Sequence, residues 1–204
     1  MSCFNGRPCS CNTTSSSERP PTVSDLIPTY TSDVFSGHIQ ALNGRSFQGQ
    51  SEMVALSSSD STDPDTLAYI FLNNPKCSRT LIAVNNLTLV NYTGGVVQYQ
   101  TRLTTLPTLA TQPSNNVENT NCTCSFITPN AQIISLSTTT ALTLDAATFT
   151  NLIPALSSVE TRLGGSTIIG PGCCLAISAT ALSDTTGSIL VNFRWFELAI
   201  KETR

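Results

Sequence analysis

A chain of 204 residues is long enough for one domain with a substantial core, and this one carries a net charge of −3 with 11% of its residues charged, against about 25% in typical domains. It has no basic cluster to neutralise phosphates, which excludes charge-driven nucleic-acid binding, and no run of about 18 apolar residues to span a membrane. Hydroxyls supply the polarity instead: 25 serines and 30 threonines make up over a quarter of the chain.

Residues 1–33 read as an extended, cysteine-bearing arm and 34–204 as a body. "MSCFNGRPCSCN" places Cys3, Cys9 and Cys11 around one bulky apolar side chain, Phe4, too little to build a core. "CNTTSSSERPPTVSDLIPTY" adds Pro20, Pro21 and Pro28 and shows no sustained periodicity. The N-terminus lacks the basic-then-apolar pattern of a secretory signal, so the expectation is export by another route.

The body reads as short β-runs between turn residues. "GHIQAL" is a first candidate strand, and Asn43-Gly44 is a hairpin turn signal leading into "RSFQGQSEMVAL". "TLAYIFL" and "RTLIAVNNLTLVNYT" follow, then a break at Gly94-Gly95 and "VVQYQTRLTT". "LPTLATQPSNNVENTNCTCS" reads as a long polar loop, after which "AQIISLSTTTALTL" resumes strand character. "DAATFTNLIPALSSV" is the one plausible helix, with Asp145 as N-cap, although Pro154 in its middle limits it to a short helix or an irregular crossover. "STIIG", the turn "GPG", "CCLAISATALS", the turn "SDTTG" and "SILVNFRWFELAI" complete the chain. In the last run Ile189, Val191, Phe193 and Trp195 alternate with Leu190, Asn192, Arg194 and Phe196, which gives one strongly apolar face. The pattern predicts an all-β protein: an antiparallel β-sandwich, jelly-roll-like, preceded by the arm.

Catalytic chemistry finds little support. A nucleophile needs a base beside it, and the only histidine, His38, reads as a surface or core-edge residue. Most acids fall in turns, so no opposed carboxylate pair stands out, and no enzyme activity or cofactor is expected. "DSTDPD", from Asp60 to Asp65, clusters oxygen ligands of the kind calcium prefers. It lacks the glycine and terminal glutamate of an EF-hand and reads as a solvated acidic turn. The Asn-x-Ser/Thr sites at Asn12, Asn86, Asn91 and Asn121 are expected by chance in so Asn- and Thr-rich a chain.

The cysteines carry the signal. Eight occur, as Cys3/Cys9/Cys11, Cys77, Cys122/Cys124 and Cys173/Cys174. C-x-C and C-C spacings with a single histidine do not form metal knuckles, so disulfides are expected and no metal site. About 20 extended arm residues reach roughly 66 Å, farther than a compact body about 40 Å across. Neighbours on a strand point to opposite faces, so Cys173 and Cys174 do not readily pair with each other and suit two different partners. Bridges between chains follow, with Cys9 and Cys11 as donors and Cys173 or Cys174 as leading acceptors. Cys77, Cys122 and Cys124 come next, and Cys3 is a further disulfide candidate.

A short cysteine-bearing N-terminal connector, no signal peptide and a Thr/Ser/Val-rich β-sandwich with late-strand cysteines resemble the endospore-appendage (Ena-type) pilus subunits of spore-forming Firmicutes and related spore-surface proteins. The resemblance is one of plan over the whole chain, with Cys9, Cys11 and Cys173 or Cys174 at the matching positions. It implies a structural, self-assembling subunit of a disulfide-cross-linked fibre, a head-to-tail helical filament that is a homopolymer of the chain. It implies assembly in the mother cell, an extracellular or spore-surface location, and an anchor or tip protein as a further partner. The alternative is a carbohydrate-binding or adhesin β-sandwich on a surface fibre, with aromatic residues at its loop tips.

Overall fold

A computed structural model describes residues 2–3, 7–8, 45–58, 65–110, 113–114, 117–119, 128–182 and 184–200. Among them there is no helix. A small hairpin pairs β1 (Ser2–Cys3) with β2 (Arg7–Pro8). The body follows as β3 (Ser46–Gln50), β4 (Val54–Ser58), β5 (Leu67–Asn73), β6 (Thr80–Asn91) and β7 (Val97–Thr105). Next come β8 (Pro113–Ser114), β9 (Val117–Asn119), β10 (Gln132–Thr138), β11 (Phe149–Ile153), β12 (Ser158–Ile169), β13 (Cys173–Ala181) and β14 (Thr185–Ala199).

The strands form two antiparallel sheets. One runs β11-β7-β13-β5-β10-β8, and the other β12-β6-β14-β3-β9 with β4 also paired to β14. Strands β12, β6, β14 and β3/β4 face β11, β7, β13 and β5, with the chain passing between sheets in the order of a jelly roll. The antiparallel β-sandwich expected from the alternation is therefore the fold.

The alternation explains the packing directly. Ile189, Val191, Phe193 and Trp195 are buried against the facing sheet, and the Phe47 and Trp195 rings stack with centroids 6.0 Å apart. In β6 the inward phase changes from Ile82 and Val84 to Leu87 and Leu89, because the register with β14 slips at Asn85. "RSFQGQSEMVAL" makes two strands on β14. Between them Ser51 exchanges bonds with Val191: its N–H donates to the carbonyl at 2.8 Å, and its Oγ accepts from the amide at 2.9 Å.

Two expectations are corrected. The candidate helix does not form: residues 139–147 run without regular structure, Phe149–Ile153 is β11, Pro154 lies in a turn and Ser158 opens β12. The connection from β10 to β11 crosses β5, β13 and β7, four strand spacings or about 19 Å. Ten helical residues cover only about 15 Å, whereas an extended strap covers the distance easily. The long polar loop is also not structureless throughout. Strand β8 pairs with β10 and β9 with β3, so each covers the edge of a different sheet. "GHIQAL", His38, the Asn43-Gly44 turn and Asp60 to Asp63 lie outside the described residues.

Candidate functional site

The cysteine-bearing end of the sandwich is assembled by β5 and β13, paired with Cys174 opposite Asn73. Two connections close it, Asn74–Arg79 between β5 and β6 and Gly170–Gly172 between β12 and β13. Asn74, fully buried, locks them together. Its Nδ2 donates to the carbonyls of Thr80 and Ile169, each at 2.9 Å, while its Oδ1 accepts from the Ser78 hydroxyl. Its backbone N–H donates to the Cys173 carbonyl at 2.9 Å and its carbonyl accepts from Gly172 at 2.8 Å. Gly172 has φ +83°, a left-handed conformation that favours glycine, and the Lys76 side chain packs beside it.

This frame places Cys77 exposed in the first turn and Cys173 half-buried at the start of β13, against the sandwich core. Cys174 points the opposite way, as strand geometry requires, into a second apolar cluster on the outer face of its sheet. Tyr69, Phe71, Ile134 and Ala176 form that cluster, and Leu142 and Leu144 of the strap pack onto it. The Tyr69 hydroxyl fastens the strap by accepting from the Leu142 N–H at 3.0 Å. Burial pushes the Cys174 thiol up to about 12, and the nearby Cys173 and Asp145 add to the effect. As placed, Cys174 is sealed from an incoming thiolate, while Cys77 and Cys173 lie toward the surface.

Topology brings further pieces of the chain to this end. Strand β14 finishes here: the Ile200 N–H donates to the Arg79 carbonyl at 2.9 Å, and Glu197 N–H donates to the Arg45 carbonyl at 3.0 Å. Arg45, the first described residue of the body, therefore lies at this pole. Asn119, opposite Phe47, and Thr128, shortly before Gln132 opposite Asn73, bracket Cys122 and Cys124 in sequence. Cys9, Cys11, Cys122 and Cys124 lie outside the described residues, and Cys3 falls in β1 with its backbone opposite Arg7.

Sequence reasoning missed the residue that clamps this pole. Glu197 is buried, and its carboxylate accepts from the Asn130 and Ala131 amides at 2.8 and 2.9 Å, from Asn130 Nδ2 at 3.0 Å and from Trp195 Nε1 at 3.3 Å. The signal was present: Glu197 is the next member of the inward series Ile189, Val191, Phe193, Trp195. An acid in an apolar register demands donors. Among the described residues, no group of three or more His, Cys, Asp or Glu is placed to hold a metal ion. No protein-family model matches the chain, and no match emerges among curated proteins or solved structures.

Proposed function

We propose that the chain is the structural subunit of a fibre built from copies of itself and cross-linked by disulfides between subunits. The observation that carries this reading is that Arg45, the first described residue of the body, lies at the pole where Cys77 and Cys173 approach the surface. In a head-to-tail row, that pole repeats once per subunit. About 20 extended arm residues reach roughly 66 Å, whereas β14, the fifteen-residue strand that runs from pole to pole, spans about 50 Å. An arm of this length passes a whole neighbour and presents Cys9 and Cys11 to the body beyond it. The sealed position of Cys174 makes Cys173 the better acceptor of the adjacent pair, with Cys77 beside it at the same end. On the resemblance to endospore appendages, the fibre belongs outside the cell on the spore surface, after assembly in the mother cell. The subunit itself performs no catalysis.

Electrophoresis of the oxidised protein tests this. Boiling in detergent without reductant leaves material too large to enter the gel, and reductant releases a single monomer band. A monomer band without reductant overturns the reading, because bridges closed within one chain give that result.

A further inference from the structure

At the end of the sandwich opposite the cysteines, three connections meet: Tyr92–Val96 after β6, Pro154–Ser157 after β11, and the one that holds Leu182 and Asp184 after β13. The fully buried Asn91 ties the first two. Its Nδ2 donates to the carbonyls of Gly95 and Pro154, each at 2.9 Å, and its Oδ1 accepts from the Thr93 N–H at 2.8 Å. Leu156 N–H donates to the Thr93 carbonyl at 3.2 Å and Leu182 N–H to the Val96 carbonyl at 3.0 Å. Gly187 packs against this base so closely that a Cβ there would lie 2.8 Å from Thr93 Cα. The pole is therefore rigid, yet what it displays is apolar: Leu156 is 76% exposed, Leu182 52% and Tyr92 48%, with Val96 beside them. Leu156 is also held at φ +50°, a conformation that costs about 1–2 kcal/mol for an L-residue. Neither the fold nor its solubility gains from a strained leucine in water. Clustered exposed apolar side chains on a rigid frame mark a contact surface.

Charge selects the partner. The described residues of this pole include Asp65 and Asp184 and no basic side chain. The cysteine pole has Arg45, Lys76 and Arg79 against the exposed Asp145 near Cys174, with Glu197 buried among its amide donors, and Leu109, in the connection after β7, is exposed at the same end. Two copies meeting by the same pole would oppose acid to acid, whereas opposite poles are complementary.

We propose that the pole of Leu156, Leu182, Tyr92 and Val96 is the receiving face for the cysteine pole of a second copy, so that subunits add head to tail along the strand axis. The proposal rests on the self-assembly reading and names its non-covalent interface. Such a heterologous contact does not close on itself and extends into a filament.

Sedimentation of the full chain in reductant, over a range of concentrations, separates the two. Wild type forms a concentration-dependent series beyond the dimer. Leu156→Asp, and separately the pair Leu109→Asp with Lys76→Glu, weaken association by about tenfold or more. An equimolar mixture of these two variants stops at a dimer, because each keeps one intact pole. Leu156→Asn serves as a second variant, since asparagine accepts the left-handed backbone, and an unchanged unfolding midpoint shows that each variant is folded. The proposal is overturned if wild type stays monomeric in reductant, or if Leu156→Asp associates like wild type. It also falls if the cysteine-pole variant is unaffected, which would mean pairing of like poles. In each of these cases a covalent ladder after oxidation leaves the fibre reading standing, and its absence removes that reading too.

Discussion

At the residue scale, Cys173 and Cys174 show how adjacent identical side chains acquire different chemistry. One leans on the sandwich core near the surface, and the other is enclosed by Tyr69, Phe71 and the strap. A thiol reacts as its thiolate, and desolvation disfavours that form. With the folded value raised to about 12, Cys174 keeps its proton while the same thiol in the unfolded chain ionises near pH 9. Its contribution to stability is complete below pH 9 and declines as pH rises toward 12, by up to about 1.4 kcal/mol per pH unit. In denaturant titrations under reductant, the stability difference between wild type and Cys174→Ala therefore shifts toward the variant across pH 9–12. A constant difference would show that the thiol is open to solvent.

At the scale of elements, the end of β14 is held by a charge. Glu197 gathers amide donors from Asn130 and Ala131 and so anchors the start of β10 to the opposite sheet. A carboxylate is acceptor-only, whereas a glutamine must turn a donor toward some of those N–H groups. Glu197→Gln is expected to lower stability by about 2–3 kcal/mol, read as a reduced urea midpoint at unchanged slope. A change below experimental error would mean that the amides find other acceptors.

At the scale of the molecule, the proposed fibre assigns separate roles to the N-terminal segment and the body. The small β1–β2 hairpin pairs within itself, while the body has its own continuous core from Phe47 to Trp195. Deleting residues 1–15 is accordingly expected to leave the circular dichroism spectrum and unfolding midpoint unchanged while abolishing covalent polymers. Loss of the β-signal on deletion would show that the arm is part of its own subunit's core.

What the sequence determined by itself was the strand character of the body and the faces of its strands. Alternation with period two is a local property, so Ile189 to Trp195 announced the buried face of β14, and the phase change at "VNNL" in β6 matches its bulge. The same rule required Cys173 and Cys174 to face opposite ways. Local pattern failed where a distant partner decided the outcome. "FTNLI" sits in a stretch with helical possibilities, but pairing along β7 and the distance the strap must cross both demand extended chain. The sealing of Cys174 depends on that strap, and the donors around Glu197 come from a segment 66 residues away. The gathering of Arg45, Cys77 and Cys173 at one pole, with Leu156 displayed at the other, follows from the order in which strands cross between sheets. That order is set by packing two faces against each other, and no window of sequence contains it.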